Sequence, residues 1–402
     1  MRDFNVVTLG EPDSGKTVFM AAMHEMLGNR AVDDSTHRVF VRAPMGTRSS
    51  LVKTYARIVN PDLDWDPGTD RKVYQEVPFT VVARGLDQTL ADLFRVRYVD
   101  YSGERITTEW MDEKQRRFER HLREAHGVLV ALDGAKVLSL LDRQELGRRY
   151  LYEDLKMVLG AVRETTARAP VHFMITKWDL FERRRLGLGF VKGELLKASD
   201  DLAGVVGSRL RSASPTATMR LIPVSSLGRD FVRPEPSEDG YLRMFKTSGR
   251  VRQLNVDVPL LSLLPDFYSQ YMEELGAGGR TGFKRVLRRW HKRAGEVFPP
   301  VARAAGDVTA ERLTEGKELE SYVERILLKS LVDGLMSRFG RRPDRLDVRP
   351  EVVRGLPNNV QLAVQAAVQH MALRLEAFEQ TYPESELTLA DLDDLARTME
   401  PE

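Results

Sequence analysis

Eight consecutive residues near the start of the chain have the types and the spacing of a loop that binds phosphate. They read GEPDSGKT, residues 10–17, and fit the pattern G-x-x-x-x-G-K-[ST]. Glycines let backbone N–H groups turn inward at a helix N-terminus, where the dipole favours anions. Lys16 adds a positive charge for the β- and γ-phosphates, and the Thr17 hydroxyl can ligate Mg²⁺. The loop lies between a strand pattern and an amphipathic helix pattern, which favours a nucleotide site over a glycine turn that only caps a helix.

A second group of candidate residues follows a later apolar run, in DYSGE at residues 100–104. An Asp at the C-terminal end of a buried strand lies at the edge where ligands of open α/β sheets bind. Asp100 can hold Mg²⁺ through a water molecule, and the backbone N–H of Gly103 can reach a γ-phosphate. A simple strand-end turn is the alternative interpretation.

A third group, TKWD at residues 176–179, indicates which base is bound. Asp179 can accept hydrogen bonds from N1–H and N2–H₂ of guanine, and adenine cannot supply this pair of donors. The stem of Lys177 would lie along the plane of the base. After the last predicted strand, VSSL at residues 224–227 would offer the backbone N–H of Ser226 to O6 of guanine. An ordinary strand-end loop is the alternative in both places.

These groups require a sheet whose parallel strands end at one common edge, and the apolar pattern predicts such a sheet. The segment RGLDQTLADL between the second and third predicted strands is short enough for a hairpin-like connection, so we expect that pair to be antiparallel. Later pairs are separated by enough chain for a crossover helix. The sequence predicts an α/β fold with a mixed, mostly parallel six-stranded sheet flanked by helices. The predicted strands are 4–9, 77–83, 95–100, 127–132, 171–176 and 220–224.

The residue pattern of the chain changes after residue 228 and again after residue 278. Residues 228–256 are rich in polar residues, Pro and Gly, and we interpret them as a loop insertion. Beyond them, VDVPLLSLLPDFYSQYMEEL has helical spacing and is expected to pack on the sheet. We predict a nucleotide-binding domain over 1–278, with a further insert near 29–64, and an all-helical C-terminal domain over 279–402. The C-terminal helices are predicted at 283–297, 316–339, 358–382 and 389–399.

Over about residues 1–278 the chain resembles the core of the TRAFAC class of small-GTPase-like P-loop GTPases. The resemblance rests on four motifs in this order: GEPDSGKT, DYSGE, TKWD and VSSL. The long segment before WDPGT, the DYSGE turn and LNVDVPLLSLL resemble the bacterial double-GTPase families of conflict and signalling systems. This chain departs from those families in having a single phosphate loop. The resemblance implies a P-loop GTPase fold, GTP or GDP as the ligand, and Mg²⁺.

A GTPase also needs a switch threonine that ligates Mg²⁺ and senses the γ-phosphate. Thr69, in WDPGTDRKVYQEV, lies just before the predicted second strand and is the best candidate. Thr36, Thr47 and Thr54 are poorer candidates because the stretch around them is expected to be partly helical. A simple turn is the alternative interpretation of DPGT.

The residue after the D-x-x-G turn raises a question about hydrolysis. Related GTPases often have a Gln there to orient the attacking water, and this chain has Glu104. Glu104 adds negative charge beside a phosphoryl group that already carries several, which predicts slow intrinsic hydrolysis. Arg105 or Arg71 could neutralise transition-state charge as an arginine finger, and Lys72 could do so only as a point charge. All three are more simply interpreted as surface cations.

The sequence thus predicts three overlapping sets of site residues. The candidate catalytic residues are Lys16, Thr69, Gly103 and Glu104. The candidate metal ligands are Thr17, Thr69 and Asp100. The candidate nucleotide-binding residues are Gly10, Asp13, Ser14, Gly15, Lys16, Thr17, Val18, Thr176, Lys177, Asp179, Ser225, Ser226 and Leu227.

We expect a guanine-nucleotide switch that hydrolyses GTP slowly and signals to a protein effector or regulator, which could include an activator of hydrolysis. A scaffold that binds GTP without hydrolysing it is the main alternative, and Glu104 favours it. An ATPase would require that Asp179 does not face the base.

Composition excludes several other classes of function. The chain has 402 residues, 42% of them hydrophobic, and its formal net charge of +2 gives no reason to expect nucleic acid as a partner. Zero cysteines exclude disulfides and thiolate metal sites, and the seven histidines show no metal-ligand spacing. We expect a cytoplasmic protein without a signal peptide or transmembrane segment. The basic helix predicted at 283–297 is interpreted as a core-facing stripe with a solvated rim, ahead of a surface for an acidic partner or a membrane.

Overall fold

The computed structural model describes the N-terminal two thirds of the chain, with gaps, and a C-terminal segment. The described residues are 3–34, 37–65, 75–100, 113–167, 169–211, 219–237, 242–264, 267 and 358–399. The strands are β1 Asp3–Leu9, β2 Val39–Arg42, β3 Gln75–Arg84, β4 Leu90–Asp100, β5 Gly127–Leu132, β6 Val171–Ile175, β7 Met219–Pro223, β8 Val232–Pro236 and β9 Leu242–Lys246.

The helices lie between these strands and at the C-terminal end. They are α1 Lys16–His24, α2 Ala31–Asp33, α3 Met45–Ile58, α4 Glu113–Arg123, α5 Gly134–Leu141, α6 Glu145–Arg149, α7 Lys156–Arg163, α8 Asp179–Arg183, α9 Leu188–Ala198, α10 Asp200–Arg211, α11 Asn358–Thr381 and α12 Leu389–Met399. Two wider π-helical segments, Glu25–Arg30 and Tyr150–Leu155, continue α1 and α6. None of the described helices combines the length and the apolar character that crossing a membrane requires.

Seven strands form the main sheet, in the order β2-β3-β4-β1-β5-β6-β7. β1 pairs in parallel with β4 and β5, and β5, β6 and β7 continue the parallel part. β3 pairs with β4 in the antiparallel sense, which confirms that prediction. The parallel strands β1, β4, β5, β6 and β7 therefore end at one edge, so the loops that follow them lie side by side.

The sheet has one strand more than the sequence pattern predicted. β2 is a four-residue edge strand that pairs with β3, and it lies in the insert near 29–64 together with α3. Its VFV core is too short to stand out from the polar residues around it. The predicted fold class is confirmed, with seven strands in place of six.

The segment over 228–256 is more ordered than the expected loop. It contains the antiparallel hairpin of β8 and β9, which form a second, two-stranded sheet. β8 reads VRPEP, and its two prolines hid the strand in the sequence because proline cannot donate to a β-ladder.

Helices cover both faces of the main sheet, and alternate residues of each strand enter different hydrophobic clusters. In β1, Val6 packs with α1, while Val7 packs with the helices on the other face. Phe4 of the same strand stacks on Phe267 with 4.6 Å between ring centroids. The central strands are thus buried on both sides, as expected for a parallel sheet between helical layers.

The described C-terminal helices pack on this same structure. Ala363, Ala367 and Phe378 of α11 are buried in the cluster that contains Phe79 of β3. α12 contacts α9 and α10, where Lys192 and Asp391 form an ion pair at 2.6 Å. The helices predicted at 358–382 and 389–399 are confirmed within one residue. Those predicted at 283–297 and 316–339 lie outside the described residues, so the proposed division at residue 279 stays a prediction.

Removing the Phe378 ring tests whether α11 belongs to the core of the nucleotide-binding domain. Phe378 is 1% exposed, so we expect Phe378→Ala to lower the free energy of unfolding by about 3–5 kcal/mol. Leu373→Ala on the same helix is the matched control, because Leu373 is 51% exposed and its loss should cost less than about 0.5 kcal/mol. Urea unfolding curves measure both. Equal curves for the two variants would contradict this packing.

Candidate nucleotide-binding site

Residues 10–17 form a tight loop between β1 and α1. A Cβ atom at Gly10 would lie 2.8 Å from the carbonyl oxygen of Ala131, which is too close for any side chain. Asp13 and Gly15 have left-handed backbone angles, with φ of 61° and 86°. Gly15 directly precedes α1, and glycine adopts this conformation without strain. The loop geometry thus accounts for the glycines at positions 10 and 15 of the motif.

The Lys16 ammonium group lies at the centre of this loop. Its Nζ atom donates to the carbonyl oxygens of Gly10 at 2.8 Å and Glu11 at 2.7 Å, and to Ser14 Oγ at 3.2 Å. Ser14 Oγ in turn donates to the Glu11 carbonyl at 2.7 Å. These bonds hold a buried positive charge at the first residue of α1, where the helix dipole also favours an anion.

The loop after β6 is tied to the phosphate loop by its side chains. Thr176 Oγ1 donates to the Ser14 carbonyl at 2.8 Å. Lys177 Nζ donates to the Asp13 carbonyl at 3.1 Å and to both carboxylate oxygens of Asp133 at 2.8 and 2.9 Å. Lys177 has a left-handed φ of 53°, which turns the chain between β6 and α8. The two loops therefore keep a fixed relative position.

Asp133 holds Lys177 beside the cavity, and the sequence analysis missed it. It directly follows β5, it is buried, and it also accepts the N–H of Ala135 at 2.9 Å, so it caps α5. The apolar run GVLVAL followed by Asp was visible in the sequence, and a carboxylate at the end of a buried strand is the same signal that marked Asp100. The ion pair with Lys177 lies next to the phosphate loop.

The Asp179 carboxylate is buried and oriented by Ser225. Ser225 Oγ donates to Asp179 Oδ1 at 2.6 Å, and the N–H of Gly228 donates to Ser225 Oγ at 3.0 Å. The backbone N–H of Trp178 also donates to the carbonyl of Val224 at 3.1 Å. The loops after β6 and β7 thus form one hydrogen-bonded unit, in which Ser225 fixes the direction of the carboxylate.

One cavity of about 840 Å³ brings most of the predicted site residues together, within the roughly 300–1,000 Å³ of small-molecule sites. One wall comes from the phosphate loop and from the loops after β6 and β7, and it consists of Pro12, Asp13, Gly15, Lys16, Thr17, Val18, Thr176, Lys177, Asp179, Ser226 and Leu227. Gly10, Ser14 and Ser225 lie behind this wall and hold it in shape.

The predicted residues of the second motif and of the switch lie mostly outside the described residues. This applies to Thr69, Gly103 and Glu104 and to the neighbouring cations Arg71, Lys72 and Arg105. For Asp100 the structure gives the backbone, which ends β4 in register with Thr8 of β1. Asp100 therefore lies on the strand next to the one that leads into the phosphate loop. Among the described side chains, no group of three or more His, Cys, Asp and Glu could hold a metal ion.

A comparison with protein-family models agrees with this geometry. Residues 5–203 match the model of the family described as Double-GTPase 2. The chain therefore carries a P-loop GTPase domain of the double-GTPase family. Membership implies that the domain binds GTP. The matched span includes the phosphate loop and the TKWD loop and ends before Ser225. No curated protein matches the chain.

The opposite wall of the cavity in this double-GTPase domain comes from residues that the sequence analysis did not predict. It combines the end of α3 and the segment after it with the β8–β9 hairpin. The lining residues are Ile58, Pro61, Leu63, Asp64, Trp65, Val232, Leu242, Arg243, Met244, Phe245 and Lys246. In LRMFK the apolar–polar alternation of Leu242, Arg243 and Met244 breaks at Phe245, so only a weak signal for β9 was available.

Two contacts fasten the hairpin to the segment that precedes the predicted switch threonine. Trp65 Nε1 donates to the Met244 carbonyl at 2.5 Å. Lys246 Nζ donates to the carbonyl oxygens of Arg57 at 2.9 Å and Leu63 at 2.8 Å, and lies 4.9 Å from the centre of the Trp65 ring. A cation at the C-terminal end of α3 is favoured by the free carbonyl groups there. The hairpin therefore lines the cavity and is fixed to the chain that ends at residue 65.

The phosphate loop of the double-GTPase domain itself carries a buried acidic side chain, that of Glu11. Burial raises the pKa of Glu11 to about 8. Lys136 lies 3.5 Å from this carboxyl group, and its closer partner is Asp154 at 2.7 Å. At neutral pH the Glu11 carboxyl is therefore mostly protonated, and it adds little negative charge that would oppose an anion bound by the loop.

Loosening the hairpin should accelerate the release of nucleotide. Lys246→Met removes a cation that holds the carbonyl groups at the end of α3, so we expect GDP to dissociate about three- to tenfold faster. Arg233→Met is the matched control, because Arg233 lies on the same hairpin and pairs only with the exposed Glu235 among the ion pairs of the described residues. Stopped-flow release of a fluorescent GDP analogue measures both rates. Rates that agree within twofold would contradict a closing role for the hairpin.

Proposed function

We propose that this chain is a molecular switch that binds guanine nucleotides, hydrolyses GTP slowly and reports its nucleotide state to a protein partner. The observation that carries the proposal is the buried Asp179 carboxylate in the same cavity as the Lys16 loop. A phosphate loop alone would suit many nucleotides. A fixed carboxylate at the base end suits guanine.

The phosphate end of the proposed site rests on Lys16 and the loop amides. Lys16 Nζ has its three donors close to loop acceptors, and a β- or γ-phosphate oxygen would replace or share one of them. The backbone N–H groups at the start of α1 would bind further phosphate oxygens. Glu11 in this loop is mostly protonated, so its carboxyl group adds little negative charge that would repel the phosphates.

The base end rests on Asp179 and the residues around it. One oxygen of Asp179 is held by Ser225, and the carboxylate retains acceptor capacity for N1–H and N2–H₂ of guanine. Adenine lacks these donors and would leave a buried acceptor unpaired, which costs about 1–3 kcal/mol or more. The stem of Lys177 would cover one face of the base while its ammonium group stays on Asp133.

We propose Thr17, Thr69 and, through water, Asp100 as the residues that hold Mg²⁺. The donor set fits a hard cation, which prefers oxygen ligands and retains water. Thr17 lines the cavity next to Lys16, and the backbone of Asp100 ends the strand beside β1. When bound, the ion would neutralise charge on the β- and γ-phosphate oxygens.

The switch itself is proposed for the segments around Thr69 and Gly103. A γ-phosphate would order these segments, and its loss would release them, which changes a surface that a partner protein can read. Trp65 supports this proposal because its bond to Met244 fixes the chain four residues before Thr69. We propose a protein effector or regulator as the reader of this surface.

A comparison of three proteins tests the proposed function. We expect the wild type to bind GTP, to retain it in an excess of ATP, and to hydrolyse it slowly in a single turnover. Lys16→Ala should weaken binding at least about tenfold, because it removes a charged hydrogen-bond donor. Glu104→Gln should hydrolyse GTP faster than the wild type, because the added negative charge is gone.

The same assay separates the two alternatives. Displacement of GTP by ATP would contradict a guanine site. GTP binding without hydrolysis in both the wild type and Glu104→Gln would favour a scaffold that does not turn over, which the presence of Glu104 already makes the second candidate. Copurification of proteins with forms of the chain held in the GTP-bound or the GDP-bound state would then identify the partner, whether or not the chain hydrolyses GTP.

A further inference from the structure

Residues 254–257, reading LNVD, lie beside the loop that holds Asp179. Leu254 and Ser225 exchange backbone hydrogen bonds, with N–H to carbonyl distances of 2.8 and 3.1 Å. Asn255 has a left-handed φ of 53°, a conformation that asparagine tolerates better than most residues. Its Nδ2 atom donates to the carbonyl oxygen of Pro223 at 3.0 Å. The segment therefore fixes the backbone at Pro223 and at Ser225, the residues on either side of position 224.

This segment is in turn held by a residue of the C-terminal helix α11. Arg374 Nε donates to Asp257 Oδ2 at 2.7 Å, and its Nη2 donates to Asp257 Oδ1 at 2.9 Å, which is a bidentate pair. The same Nη2 atom donates to Asn255 Oδ1 at 3.2 Å. One residue from the far end of the chain thus holds both Asn255 and Asp257.

Burial and charge together fix the geometry of the contact between Arg374 and Asp257. The Asp257 side chain is 5% exposed and the Arg374 side chain 28% exposed, so a nearly buried carboxylate depends on one guanidinium. A bidentate guanidinium fixes the angle as well as the distance between the groups that it joins. Lysine would keep the charge and lose that angle.

We propose that Arg374 is a positioning residue for guanine recognition. Arg374 holds Asn255 and Asp257, and Asn255 donates to the Pro223 carbonyl. The neighbouring Leu254 exchanges backbone hydrogen bonds with Ser225, whose Oγ sets the direction of the Asp179 carboxylate. Arg374 does not belong to the described lining of the cavity, so it acts through the other residues. The inference rests on the proposed function, in which Asp179 reads the base.

A purely structural ion pair would also fasten α11, and base selectivity distinguishes the two roles. Guanine offers N1–H and N2–H₂ to Asp179, whereas hypoxanthine offers N1–H alone. A carboxylate that is free to rotate loses the two-point contact first, and the preference for guanine falls with it. Loosening of α11 alone would lower thermal stability and leave this preference unchanged.

The experiment measures the dissociation constants of GDP and inosine diphosphate for the full chain, with the melting temperature of each variant. We expect Arg374→Ala to lower the GDP preference by roughly tenfold, the order of one hydrogen bond to a charged group, and Arg374→Lys to fall between it and the wild type. Glu379→Gln is the matched control. It breaks an α11 ion pair with Arg220 at the start of β7, away from Ser225, so it should leave the preference unchanged.

Three results would overturn the proposal, and they differ in what else they overturn. If the wild type prefers GDP and Arg374→Ala keeps that preference while its melting temperature drops, Arg374 is only structural and the proposed function stands. If the wild type binds both nucleotides equally or binds neither, the proposed function fails together with this inference. If Arg374→Ala does not fold, Arg374→Lys and Asp257→Asn decide by the same ratio, and an unchanged ratio in both overturns the proposal.

Discussion

The carboxylate of Asp179 lies in the interior, and taking a charge out of water costs several kcal/mol unless hydrogen bonds replace the water. Ser225 supplies one such bond at 2.6 Å. The loops after β6 and β7 are therefore organised around one acceptor, and the phosphate loop is tied to them through Thr176 and Lys177. In the proposed function, guanine supplies the remaining donors, so the same constraint that shapes the loops also selects the base.

The parallel sheet makes this arrangement possible. Five strands end at one edge, and residues that are far apart in the sequence, such as Asp13, Asp133 and Lys177, meet there. The hairpin of β8 and β9 then closes the cavity from the other side and reaches back to Trp65. The loop that holds Asp179, the hairpin and the chain as far as residue 65 are thereby connected, as the proposed nucleotide-dependent switch would require.

Local sequence signals predicted the parts of the site that depend on local geometry. The phosphate loop was recognisable because Gly10 and Gly15 meet steric and backbone requirements within eight residues. Asp179 was recognisable because it closely follows an apolar strand, at the sheet edge where ligands bind. The four-residue edge strand β2 and the proline-containing strand β8 gave no comparable signal, since pairing with a neighbour stabilises them more than their own sequence does.

Contacts between distant segments could not be predicted from a single sequence at all. Arg374 and Asp257 are separated by 117 positions, and neither residue type nor spacing connects them.

Guanine recognition by Asp179 is tested most directly by comparing the binding of GDP and xanthosine diphosphate to the wild type and to Asp179→Asn. An asparagine amide can donate to the C2 carbonyl of xanthine, so we expect the wild type to prefer GDP and Asp179→Asn to prefer xanthosine diphosphate. An unchanged preference in the variant would contradict the claim that Asp179 reads the base.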